Sequence, residues 1–544
     1  PVKKDTQKDP TISIDGKTAL LGDKVYYRVN IDASRLTDTA YKVWRLGMVD
    51  DYDEEYLTLD AKHVEILDET GRDRTGEFNI QDKDGVLYTF AKTVDTMIPA
   101  TGETVPGDPQ PDDLKAYSEK TDKDYDPLKD PSIDQSLLGH TYQVVMPMTV
   151  TKVKDGHTVE NTATQVTNDK RDKTNTVTNP LKEINPTKDV TVKVGGDSID
   201  GKSVYLNHTF LYRLDSSILP PDRAYQTVTD WGGTDQLTTE YDQYLGNWAV
   251  YASRDLYRDG QVLAAKGEKI AGSGFDSSKF GGNLFTVDAD DNGKVTADAT
   301  QAYLDLVSAD NEHEAGWVLY LQCKRIAVAD EVPNTWTETI NGQPRESNKV
   351  VTKTPDMTPS IHLEKVDTPT LKQEGQERAD RDDPKQALKM DADSIGITFI
   401  ITNTSKTDPA TGDGAWFKAS DLNLDDSTIV GDAHVDMDSL TYPDNWDTLV
   451  LKPGESVSVN GTLKGVKEGD THTDRAIVTG TPLVECAPSN GDPFNDKTDG
   501  GEDTDPEYST GDVTEIDGKQ LCADTQTASN TDDWNGYRAK PLAS

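Results

Sequence analysis

Three cysteines, one run of alternating acidic residues and a few histidines are the side chains of this sequence whose chemistry is most easily read from spacing. Cys486 and Cys522 lie in one C-terminal stretch and can pair across a long loop, which suits an oxidising exterior. Cys323 sits instead in the apolar run Trp317-Val318-Leu319-Tyr320-Leu321-Gln322-Cys323 and reads as a buried strand thiol. There is no Cys-x-x-Cys pair, so zinc and dithiol redox chemistry lack their ligand set. Asp288, Asp290 and Asn292 put oxygen ligands at alternate positions, as the opening of a calcium loop does. Ala299 stands where that loop needs its closing carboxylate, so a plain Asp-Gly turn is the preferred reading and a calcium site the alternative. Asp82-Lys83-Asp84-Gly85 is a shorter counterpart nearer the N-terminus. His313-Glu314 lacks the second histidine of a zinc-protease helix, and neither a G-x-S-x-G elbow nor a phosphate-binding glycine loop is present. None of this reads as a turnover active site.

The elements that would hold these residues read as strands. A formal charge of −42 argues against nucleic acid and anionic membranes, which need clustered Lys and Arg; it suits solubility outside a cell. Only 34% of residues are hydrophobic, which raises disorder as a competitor. Alternating runs such as Val25-Tyr26-Tyr27-Arg28-Val29 favour strands with one buried face. No apolar stretch is long enough to span a bilayer. Neither Pro1-Val2-Lys3-Lys4 nor Lys540-Pro541-Leu542-Ala543-Ser544 reads as a signal peptide or an anchor, so the sequence is expected to be part of a longer exported chain.

An internal repeat organises the first two-thirds. Ile14-Asp15-Gly16-Lys17 returns as Ile199-Asp200-Gly201-Lys202, and without a gap Tyr27-Arg28-Val29 falls on Tyr212-Arg213-Leu214 and Lys3 on Lys188. At the far ends Asn161-Thr162-Ala163-Thr164 matches Asn334-Thr335-Trp336-Thr337, and Asn175 matches Asn348. Proline-bearing linkers follow each copy. The expected architecture is therefore all-β: three tandem Ig-like β-sandwiches in an elongated arrangement, over residues 1–180, 186–357 and 361–544. A short helix near Thr300–Val307 is read as an insertion packed on the second sandwich. In the third unit Leu451-Lys452-Pro453-Gly454-Glu455-Ser456-Val457 and Ala476-Ile477-Val478-Thr479-Gly480 are a turn and strand that resemble Ig-like repeats of bacterial surface proteins, with an acidic, Cys-containing tail behind them.

The Pro-x-Lys opening, the I-D-G-K strand, the acidic run Asp50-Asp51-Tyr52-Asp53 and the closing N-T…(S/T)-N-x-V segment, in two copies, resemble the C-terminal domains of the streptococcal antigen I/II surface adhesins. The second copy departs from the pattern, with Thr229-Asp230-Trp231-Gly232-Gly233-Thr234-Asp235 in place of the acidic run. The resemblance implies a wall-anchored, extracellular, monomeric protein that binds a host glycoprotein or another bacterial surface molecule and performs no turnover chemistry. It also makes calcium binding a property to test, and it implies a spontaneous Lys–Asn isopeptide bond in each sandwich. That chemistry needs a neutral buried lysine, an asparagine amide and a protonated carboxyl that polarises it. Lys3 with Asn161, and Lys188 with Asn334, are the expected pairs, and Asp50 and Asp230 the expected acids. Asn175 and Asn348 are equally repeated, and Asp51 and Asp235 are rivals for the acid. Lys365 and Asp474 raise the question of a third cross-link. The competing reading is a carbohydrate-binding or accessory module of a secreted hydrolase, with Trp231, Trp248 and Trp336 lining a sugar face.

Overall fold

In each of three successive domains the longer alternating runs pair into two facing sheets, with short two- or three-stranded ladders beside them. The computed structural model describes residues 3–6, 12–37, 42–108, 112–371, 380–494 and 513–543. In the first domain, Lys24–Asp32 pairs with Lys3–Thr6 on one side and Thr141–Val150 on the other. The facing sheet runs in the order Lys170–Lys173, Ala163–Thr167, Leu46–Asp51, Val86–Ala91, Phe78–Lys83. Inward residues of both sheets, among them Tyr27, Val29, Met48, Leu87 and Met146, form one core.

The second domain repeats this wiring. Thr187–Thr191, Thr209–Asp215, Trp317–Arg325, Asp242–Ala252 and Lys269–Gly272 make one sheet, and Trp231–Gln236 lies between Trp336–Ile340 and Lys294–Ala299 in the other. The helix Gln301–Ala309 buries Tyr303, Leu304 and Val307 against this sandwich, as an insertion should. Its aromatic core includes Trp231, Trp317 and Trp336, each 0–1% exposed. Trp248 is half-buried, so the three tryptophans do not share an open sugar-binding face.

In the third domain Ile361–Asp367 and Ser394–Asn403 face the sheet Asn423–Val430, Thr471–Gly480, Ala528–Tyr537. The end of the tail is thus part of the Ig-like core. Ala528–Tyr537 pairs along the whole length of Thr471–Gly480 and buries Trp534 completely.

Cys486 and Cys522 form the expected disulfide, and Cys323 is free and buried. Beside the disulfide, residues 487–494 lie across the outer face of the second domain's sheet. Phe494 is fully buried among Val194, Leu211, Ala249, Tyr251, Val318 and Tyr320. Lys269 Nζ donates to the Phe494 carbonyl at 2.9 Å, and Gln322 Nε2 to that of Gly491 at 3.1 Å. Trp317–Arg325 therefore has both faces covered, which explains why its sequence is a continuous apolar run rather than an alternation.

His208 stands at the same joint, hydrogen-bonded to the Glu485 backbone, and burial drives its pKa down to about 4. Its folded pKa lies below the ordinary value of 6.5, so the unfolded chain takes up the proton first. Stability should fall as pH drops from about 6.5 towards 4 and level off below that. Thermal unfolding across this range should show the slope in the wild type and lose a proton's worth of it in His208→Gln.

Candidate functional site

The opening strand of the second domain places Lys188 inside the sandwich. Its partner on the next strand is Leu214, as that of Lys3 is Val29 in the first domain. The Lys188 amine is fully buried; it donates to Asn334 Oδ1 at 2.6 Å and pairs with the Asp235 carboxylate. The Tyr212 ring centroid lies 4.4 Å from the amine and closes the site on one side. Trp336 closes another, its indole N–H donating to the Thr187 carbonyl at 3.2 Å. Gly233 makes room for that indole: a Cβ there would lie 2.2 Å from Trp336 Cζ3.

Burial lowers the Lys188 pKa and raises that of Asp235, each partly offset by the other's charge. Both shifts favour the neutral amine and the neutral acid, the forms that amide exchange requires. With Asp235 hydrogen-bonding the Asn334 side chain, the arrangement can let Nζ attack Cγ of Asn334 while the acid polarises the carbonyl and relays the amine proton to departing ammonia. The fixed contact replaces a bimolecular encounter.

The structure separates the rival residues. Asp230, the expected acid, lies outside the site: it sits just before the far end of strand Trp231–Gln236, where its Oδ1 accepts from Gly342 N at 3.0 Å and caps a turn. Asp235 takes its place. Asn348 clamps the Lys188 backbone, accepting from its N–H at 2.8 Å and donating to its carbonyl at 2.9 Å, which leaves Asn334 alone at the amine. In the first domain Asp50 is fully buried and pairs with Ala163, just as Asp235 pairs with Trp336. Asn161 is 1% exposed and its amide has no hydrogen-bond partner among the described residues. Asp51 and Asn175 are exposed. The Lys3 side chain lies outside the described residues.

The register also exposes the signal that was missed. The offset that carries Lys3 to Lys188 and Ile14 to Ile199 carries Asp50 to Asp235, so the gap-free alignment needed only to be continued.

Asp288, Asp290 and Asn292 lie exposed at a hairpin between Phe285–Ala289 and Lys294–Ala299. Asp290 Oδ1 accepts from the Asn292 and Lys294 backbone N–H groups, both at 2.9 Å, and this turn accounts for the acidic run without an ion. Among the described residues no three His, Cys, Asp or Glu side chains are grouped to hold a metal.

Residues 1–181 match the family described as the cell surface antigen I/II C2 terminal domain, and residues 185–355 match the family described as the cell surface antigen C-terminus. Over these two domains the chain belongs to the antigen I/II family. An aggregation substance of Enterococcus faecalis (strain ATCC 700802 / V583) is 31% identical to this antigen I/II chain over 324 residues, which is 59% of the chain and 21% of the relative. The chain thus spans about a fifth of that relative's length. Among solved structures, the C-terminal domain of the Streptococcus pyogenes antigen I/II-family protein AspA is 23% identical, with a TM-score of 0.49, covering 65% of this chain and 98% of that one. The C-terminal domain of the Streptococcus agalactiae antigen I/II polypeptide BspA is 19% identical, with a TM-score of 0.47, covering 65% and 99%.

Proposed function

We propose that this chain is a load-bearing segment of a bacterial cell-surface adhesin, held outside the cell by a wall anchor elsewhere in the protein. Its chemistry is self-cross-linking, in the first two domains Lys188 to Asn334 and Lys3 to Asn161. The observation that carries this is the contact of a buried lysine amine with an asparagine amide beside a buried carboxyl, between the opening and closing segments of one sandwich. Tension applied at the domain's ends would then pass through an amide bond and leave the strands between residues 188 and 334 unloaded. The attachment partner is a host glycoprotein or another bacterial surface molecule.

Single-molecule pulling of the full chain tests the mechanical role. The second domain should release in the wild type only the strands that follow Asn334, because extension is confined to residues outside 188–334, and should unfold fully in Lys188→Ala. A wild-type domain that extends through its whole length would overturn the reading.

A further inference from the structure

The third domain also buries a lysine on its opening strand. Lys365, in Ile361–Asp367, sends its amine to Asp426 and, at 2.5 Å, to Asp474 Oδ1; all three side chains are 0–1% exposed. His472 Nε2 stands 3.2 Å from Asp474 Oδ2, and the Phe399 ring centroid lies 5.6 Å from the amine. No asparagine forms a hydrogen bond with this amine among the described residues.

Register decides which carboxyl corresponds to which group elsewhere. Asp235 pairs with Trp336, and Asn334 stands two positions before that partner. Asp50 pairs with Ala163, and Asn161 stands two positions before it. Asp426 pairs with Ala476, and two positions before it stands Asp474. Asp426 thus occupies the place of the acid, and Asp474 the place of the asparagine.

We propose that Lys365 and Asp474 condense to an amide in the third domain, with loss of water, and that Asp426 is the group that carries the protons. The choice of Asp474 over Asp426 as the acceptor rests on the Lys–Asn reading of the first two domains, whereas the contacts of the buried amine with both carboxyls do not. Burial pushes the Asp426 carboxyl up to about 7, whereas at Asp474 the opposite effects of His472 and Lys365 outweigh burial and hold it below its ordinary value. The Lys365 amine and the two carboxyls lie within proton-transfer distance of one another, all shielded from water. Moving one proton from Lys365 to Asp474 gives a neutral amine and a neutral acid with no change in net charge, and removes two charges from a dry site. Nζ attacks Cγ of Asp474 while Asp426 donates a hydrogen bond to the carbonyl oxygen. The C–N bond forms, a second amine proton passes through Asp426 to the departing hydroxyl, the C–O bond breaks and water leaves. One ammonium and one carboxylate become one amide and one water.

Peptide mapping of the full chain, reduced and denatured, tests this. In the wild type the peptide bearing Lys365 should be joined to the peptide bearing Asp474, one water lighter than their sum. Asp474→Asn should give the same linked pair one ammonia lighter than its own sum, and Asp426→Asn should abolish the link while ammonia losses in the first two domains stay unchanged. The wild-type map decides even where a variant fails to fold. Unlinked Lys365 and Asp474 peptides, a link that ends on Asp426, or a water loss confined to a single peptide would each overturn the proposal.

Discussion

Asp235→Asn should leave the second domain folded but without its cross-link, so the intact mass rises by one ammonia beyond the substitution itself. The pair closes a loop whose ends are 146 positions apart. If such a bond acts on the unfolded chain as a disulfide does, its absence costs about 5 kcal/mol. Asp230→Asn is the control. It alters a turn cap whose hydrogen bond is worth about 1 kcal/mol, and an asparagine oxygen can still accept there. The mass deficit should be untouched and the melting temperature nearly so. Equal effects from the two variants would count against Asp235 as the acid, and an unmodified wild-type mass would refute the bond itself.

The second large effect belongs to the joint between the second and third domains. Cys486 and Cys522 are 36 positions apart, so opening their disulfide by Cys522→Ser should cost about 4 kcal/mol. It should also free residues 487–494 from the neighbouring sheet. Phe494→Ala, with the disulfide intact, should cost about 3–5 kcal/mol by emptying a fully closed apolar site. Hydrogen exchange gives the check: amides of Trp317–Arg325 should lose protection in both variants. Unchanged protection there would mean that the strap contributes nothing to the second domain.

The sequence made the sandwiches legible because period-two patterning and turn residues are local signals, and the repeat supplied two copies of each. Lys188 and Asn334 were legible for the same reason, since both keep their place in the two copies. Residue type alone does not separate Asp230 from Asp235, whereas alternation along Trp231–Gln236 sends only every second side chain inward, Asp235 among them. Asp426 could not be read at all. Nothing local marks it, and its role comes from pairing with Ala476, about fifty residues away. The strap over the second domain was equally hidden, because docking between domains leaves no periodicity in the docked segment. Its trace lay on the other side, in the unbroken apolar run Trp317–Leu321, which already signalled a strand covered on both faces.

The position of the site in chain order has a consequence for quality control. Lys188 lies on the first strand of its domain and Asn334 towards the end, so the two meet only once the opening and closing segments of the sandwich have come together. A slip of one residue in the pairing of Thr187–Thr191 with Thr209–Asp215 would turn Lys188 to the opposite face and hold it away from both partners. Wrong registers and half-finished sandwiches therefore have nothing to seal them and stay free to open and try again. A bond formed at this site would act as a ratchet that engages once, on the completed fold alone.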